Sequence, residues 1–235
     1  MVARIRNISS CVSLSALVLG VLAATGSPAP ATVLVPDGND VTTPGTATLA
    51  GLIQQDTATI PFLGQDAFEN TYYAGNLISS VYLDPSTHAM DFTYQVEATS
   101  GYRDAINAVS VSAFGDYPPD APDGYTVDAD YVSDLGEVPY DMVNLSSLES
   151  GGTISLDYST EGGIAPGDTS DIVLVKTNAS SYDEWGGASF SDDGSADIWA
   201  FEPAGAPVAV PEPMSLGLLA LGGVICAARR PRRRI

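Results

Sequence analysis

The sequence predicts an all-β fold, specifically an antiparallel β-sandwich, on three observations. Apolar and polar residues alternate with period two over several short runs, turn residues separate those runs, and no long helical periodicity competes. Each run has one apolar face to bury, and two facing sheets bury such faces at this chain length. The sandwich is expected over residues 61–206, between an N-terminal signal helix and a short C-terminal transmembrane helix.

Residues 1–31 have the layout of a secretory signal peptide. Arg4 and Arg6 give the positive start, Cys11 to Ala24 the short apolar stretch, and Ala24-Thr25-Gly26 or Ala29-Pro30-Ala31 the small residues of a cleavage site. Residues 32–60, rich in Thr, Ala, Gly and Pro, read as a loose lead-in with room for one strand. Strands are then expected at 76–83, 90–98, 106–114, 125–131, 153–158, 171–177 and 196–201. The clearest is AMDFTYQVEATS, in which Met90, Phe92, Tyr94, Val96 and Ala98 alternate with Asp91, Thr93, Gln95, Glu97 and Thr99. LDPSTHAMD (83–91) reads as a hairpin turn and DYPPDAPDG (116–124) as a long rigid loop.

Charge excludes one class of partner. From Thr32 to Val210 there are 28 acids against two bases, Arg103 and Lys176, a net −26. Such a surface repels nucleic acid and anionic head groups and attracts divalent cations. Both cysteines, Cys11 and Cys226, lie in terminal apolar segments, so the middle has no disulfide or thiol chemistry.

Catalytic and metal constellations are sparse. His88 is the single histidine and falls in a predicted turn, whereas a nucleophile–histidine–acid triad needs the imidazole held on a stable scaffold by an acid. Zinc lacks its ligands. The acids Asp120, Asp123, Asp128, Asp130 and Asp134, and the acids Asp192, Asp193 and Asp197, cluster as calcium would require, but neither set has the spacing of an EF-hand loop. A solvated acidic surface is the plainer reading, so no cofactor beyond a weak calcium site is expected. Trp185 in SYDEWGG, within a Gly-rich acidic loop, is the better candidate for sugar stacking; Tyr117 and Tyr182 lie nearby in sequence, and Trp199, in a strand, reads as core. Paired acids for glycoside hydrolysis would have to face each other across a cleft, which sequence alone does not give.

The last segment, VPEPMSLGLLALGGVICAARRPRRRI (210–235), reads as an address. Pro211 and Pro213 hold Val210 and Glu212 extended, and Pro213 suits the first position of a helix. The uncharged run Met214 to Ala228 would be ~22 Å long as a helix at ~1.5 Å per residue, short of a hydrocarbon core of ~30 Å. Arg229, Arg230, Arg232, Arg233 and Arg234 would hold its far end in the cytoplasm, leaving the middle outside.

In that order these parts closely resemble the PEP-CTERM sorting signal of bacterial surface and secreted proteins: Pro211, Glu212 and Pro213, then Met214 to Ala228, then the arginines from Arg229 to Arg234. The resemblance implies recognition and processing by an exosortase, a membrane-embedded cysteine transpeptidase-like enzyme. SVYLDPSTHAMDFTYQV and IAPGDTSDIVLVKTNASSY also resemble the middle regions of that family, which implies a β-sandwich ectodomain and no known activity. The expected protein is therefore exported, non-enzymatic, held briefly in the cytoplasmic membrane and delivered to the cell surface or extracellular matrix. The alternative is a carbohydrate-binding module or adhesin on the same scaffold, with extracellular polysaccharide as partner.

Overall fold

The computed structural model describes residues 32–34, 41–42, 45–114, 126–133, 135–146 and 152–207. The signal segment, Tyr117, Asp120, Asp123, Asp134 and the whole sorting segment 210–235 lie outside the described residues. Among the described residues no helix is long and apolar enough to cross a membrane.

The fold is all-β and antiparallel. Its strands are β1 (Thr32–Val33), β2 (Ile53–Gln65), β3 (Thr71–Asp84), β4 (Ala89–Ala98), β5 (Ala108–Val111) and β6 (Val127–Val132). There follow β7 (Met142–Leu145), β8 (Ile154–Asp157), β9 (Ile172–Thr177), β10 (Ala179–Ser191) and β11 (Ser195–Pro207). They form one eleven-stranded sheet in the order β1-β6-β9-β4-β3-β2-β11-β10-β5-β8-β7, continuous where two separate sheets were expected.

The sheet curls until its two ends almost meet. Val41 exchanges both backbone hydrogen bonds with Val143 of β7 at 2.9 Å, while Ala47 N donates to Tyr131 O of β6 at 3.2 Å. Residues 41–42 and 45–47 thus reach β7 at one end of the sheet and β6, the neighbour of β1, near the other, and the sheet nearly closes a barrel. Buried Asp130 pins residues 45–46 there, its carboxylate accepting from Gly45 N (2.9 Å), Thr46 N (3.1 Å), Thr46 Oγ1 (3.1 Å) and Tyr131 N (2.8 Å). A buried carboxylate is tolerable with that many donors. The lead-in is therefore partly built into the fold, and β2 begins inside it at Ile53.

The second half of β2 alternates in burial. Ile60, Phe62 and Gly64 are buried while Thr59, Pro61, Leu63 and Gln65 are exposed, but the register slips between Gln54 and Asp56 and between Gly64 and Gln65. Pro61 is accepted because a proline costs least on a strand edge whose N–H would have no partner. That edge is the seam with β11. Among the described residues β2 and β11 share the single register pair Ser195↔Gln65.

Side chains close the seam where backbone pairing stops. Tyr73 Oη donates to Phe190 O at 2.9 Å and Gly194 O at 3.0 Å, and burial pushes its phenol up to about 12. Gly64 makes this possible, since a Cβ there would fall 2.1 Å from the Tyr73 ring. Tyr94 Oη donates to Phe201 O at 2.7 Å, and Phe201 N donates to Ser79 Oγ at 3.2 Å. Phe62 stacks on Phe190 with ring centroids 3.9 Å apart and planes 14° from parallel. The core continues through Phe92, Tyr94 and Phe114 in edge-to-face contact, the arrangement ring quadrupoles favour.

Candidate functional site

The open end of that seam holds the candidate site. Strands β10 and β11 form a hairpin whose register pairs Asp183 with Glu202 and then Gly186 with Ala200. Two residues of β10, Glu184 and Trp185, therefore oppose Phe201 alone, which is a β-bulge; bulges re-aim side chains and gather beside binding sites. Here the bulge turns Trp185 outward until it is 87% exposed. Gly186 is required next to it, because a Cβ would sit 2.8 Å from Glu202 Cβ and 2.9 Å from Ala200 O. The register slip of β2 between Gln54 and Asp56 lies at the other wall.

Between these walls runs an open groove of roughly 760 Å³ lined by Asp56, Tyr182, Asp183, Glu184, Trp185 and Trp199. Its aromatic floor is braced from below. Buried Phe201 meets Tyr182 edge-to-face at 5.6 Å and Trp199 at 5.7 Å, and its own backbone is held by Ser79 and Tyr94. Tyr182 Oη donates to Asp56 Oδ2 at 3.3 Å across the seam, and burial first, then the Asp56 charge, raise its pKa.

The carboxyls beneath the rim are not all ionised. Burial pushes the Glu202 carboxyl up to about 8, and its cross-strand neighbour Asp183 reinforces the shift by accepting the proton Glu202 retains and by repelling its ionised form. Glu202 Oε2 is buried with no hydrogen-bond partner. Asp183 also accepts Trp185 N through Oδ1 at 3.1 Å, which fixes the start of the bulge. Asp183 and Glu202 are register partners on neighbouring strands and stand side by side. Glycoside hydrolysis needs two carboxyls on opposite sides of the scissile bond, roughly 5–9 Å apart.

The structure brings together Tyr182, Trp185 and Trp199, and corrects two readings. Trp185 stands in a bulged strand where a loop was expected, and Trp199, expected in the core, is 40% exposed at the groove. Asp56, Asp183, Glu184 and Glu202 were missed. For Asp183 and Glu184 the signal was the run SYDEWGG itself, whose bulge breaks the period-two pattern that would have marked a strand; Asp56 and Glu202 come from β2 and β11 and have no local signal.

Other sequence candidates fall elsewhere. His88 is exposed with φ of 61° in the turn joining β3 and β4, its N–H on Asp84 O at 2.8 Å. Asp130 is the structural anchor described above, and Asp128 pairs in register with Lys176. Asp192, Asp193 and Asp197 are all exposed near the β10–β11 turn; Asp192 accepts from Asn107 Nδ2 at 2.7 Å and Asp197 from Ser189 Oγ. Among the described residues no group of three or more His, Cys, Asp or Glu converges to hold a metal. In melting curves at matched ionic strength, NaCl should raise the melting temperature by screening the acidic surface, and CaCl₂ should add a modest further gain. A large shift with calcium alone, abolished by changing Asp192, Asp193 and Asp197 to Asn, would contradict this.

The fold and groove define an acidic all-β chain with an aromatic groove rimmed by carboxylates. No family model, curated protein or solved structure matches the chain.

Proposed function

We propose that this chain is an exported, non-enzymatic cell-surface or extracellular-matrix protein whose groove binds carbohydrate. The observation that carries the binding reading is Trp185, held 87% exposed by a bulge over the groove it shares with Tyr182 and Trp199. An exposed indole costs solvation and is held here by backbone geometry, and a flat aromatic face beside carboxylates suits the apolar face and hydroxyls of a sugar ring. In this reading the carboxyls serve recognition: Asp183 and Glu202 are cross-strand neighbours, and Asp56 on the facing wall is engaged by the Tyr182 hydroxyl. The break at the seam, where β2 and β11 share one register pair, supports reading the two halves of the sheet as the layers of a β-sandwich ectodomain.

The export reading rests on the terminal segments. The signal segment 1–31 directs secretion, Met214 to Ala228 and the arginines hold the chain transiently in the cytoplasmic membrane, and Pro211-Glu212-Pro213 is the segment an exosortase-type enzyme processes. The intact mass of the protein recovered outside the cell tests this. A mass lacking both the signal segment and the arginine tail supports it, and recovery of the unprocessed chain contradicts it. Changing Pro211, Glu212 and Pro213 together to Ala should trap the protein in the cytoplasmic membrane, because the helix can then extend backwards over the recognition segment. Equal release of mutant and wild type would exclude the sorting assignment.

A further inference from the structure

Resting on the carbohydrate reading of the groove, we infer that its ligand is an amine-bearing saccharide, such as a polymer of glucosamine units, bound by stacking on Trp185 and by contact of its ammonium groups with the surrounding carboxylates. The charge distribution carries this. Asp56, Asp183 and Glu184 line the groove and Glu202 lies against it, while among the described residues no base does. The two bases between residues 32 and 207 are occupied elsewhere. Arg103 lies over the Tyr72 ring, 5.9 Å from its centroid, and Lys176 stands in β9 between its register partners Asp91 and Asp128.

That asymmetry sorts sugars by charge. A uronate or sulfated polymer would meet uncompensated repulsion. A neutral glucan could stack on Trp185, but would strip water from the carboxylates without replacing their charge partner. An ammonium does both jobs, giving charge-assisted hydrogen bonds to carboxylates and a cation over an indole face.

The Glu202 carboxyl supplies a reporter. Asp183 on β10 acts on it by hydrogen bond and by charge, its own charge is felt by Tyr94 on β4, and Tyr182 and Asp56 line the same groove; all of these are acids or phenols. An arriving ammonium favours the ionised carboxyl, so binding at about pH 6, where the sugar amines already carry their protons and Glu202 still holds its own, expels a proton that a neutral sugar would leave in place.

The test is titration calorimetry of the full-length protein with glucosamine hexamer, N-acetylglucosamine hexamer, cellohexaose and hexalysine, in buffers of different ionisation heat. We expect glucosamine hexamer to bind about tenfold tighter than either neutral sugar, with proton release that Glu202→Gln abolishes. Trp185→Ala, at an exposed side chain, should weaken glucosamine hexamer about tenfold and leave folding intact. Equal binding of cellohexaose and glucosamine hexamer, both sensitive to Trp185→Ala, would overturn the amine preference and keep the saccharide site. Hexalysine binding as tightly as glucosamine hexamer, with Trp185→Ala without effect, would overturn the inference as mere polycation attraction to an acidic surface. No binding of any sugar would overturn the carbohydrate reading itself.

Discussion

The protein should be markedly more stable at pH 5 than at pH 8, and Asp91→Asn should remove much of that difference. Asp91 lies in β4, 2% exposed, with Oδ2 buried and unpartnered and Oδ1 reached by Thr177 N at a long 3.4 Å. Burial pushes its carboxyl from 3.8 to about 7, a shift that neighbouring Asp84 and Asp128 increase and that Thr177 and Lys176 offset only in part. The sign follows from linkage. Between about 4 and 7 the folded chain holds a proton that the unfolded chain has released, so stability falls as pH rises through that window and levels off above it. At ~1.4 kcal/mol per unit of pH, the window spans on the order of 4 kcal/mol, a large share of the ~5–15 kcal/mol by which domains are stable. Glu202 acts in the same direction between 4.5 and about 8, more weakly because it is half in solvent. Asparagine keeps the shape of Asp91 and never ionises. Denaturant midpoints measured from pH 4 to 9 should give a flatter curve for Asp91→Asn and greater stability than wild type at pH 8. Parallel curves for the two proteins would show that Asp91 does not titrate in the folded state.

The second large effect concerns the seam. Phe190→Ala should destabilise the protein by about 3–5 kcal/mol and lower its melting temperature by roughly 10 °C. Phe190 is buried, stacks on Phe62 at 3.9 Å, and belongs to the strand whose carbonyl receives the Tyr73 hydroxyl. Elsewhere in the sheet a lost side chain leaves a backbone ladder to hold the strands, but between β2 and β11 the ladder is one register pair long. Truncating Phe190 therefore leaves a cavity at the place with least backbone support. Phe114→Ala, buried under fully paired strands, should cost a similar free energy yet leave the groove intact, whereas Phe190→Ala should also loosen the Asp56–Tyr182 contact. Hydrogen exchange of β2 and β11 amides distinguishes the two. Faster exchange in Phe114→Ala than in Phe190→Ala would contradict the seam account.

Strands with uninterrupted alternation were legible in the sequence. AMDFTYQVEATS became β4 with Phe92, Tyr94 and Val96 inward, the runs leading to β6, β8 and β9 lie within one or two residues of the observed strands, and those leading to β3 and β11 are contained in them. What the sequence hid follows from two physical causes. The first is local composition and the bulge: β2 keeps its alternation of burial but carries Pro61 and Gly64, which read as breakers, and exposed Leu63, whereas ASSYDEWGGASFS of β10 loses the period at its bulge between Asp183 and Gly186. The second is long-range burial on the far face of the sheet, where Thr93 lies in register with Leu174, which pairs in turn with the Asp130 that Gly45 and Thr46 cover. Asp91 and Thr93 sit on the polar face of β4, which the alternation assigns to solvent, yet both are buried. The site was half legible for the same reasons. Trp185 stands out as an indole among acids, but its companions Asp56 and Glu202 reach it through pairings that no local pattern records.

The most direct test of the account is affinity electrophoresis of wild type and Trp185→Ala through gels carrying single polysaccharides, with melting curves run alongside. The account predicts that at least one polysaccharide retards the wild type, that Trp185→Ala abolishes the retardation, and that the two proteins melt together because the indole touches solvent more than core. Equal retardation of both proteins, or of neither on any gel, would contradict a saccharide site in this groove.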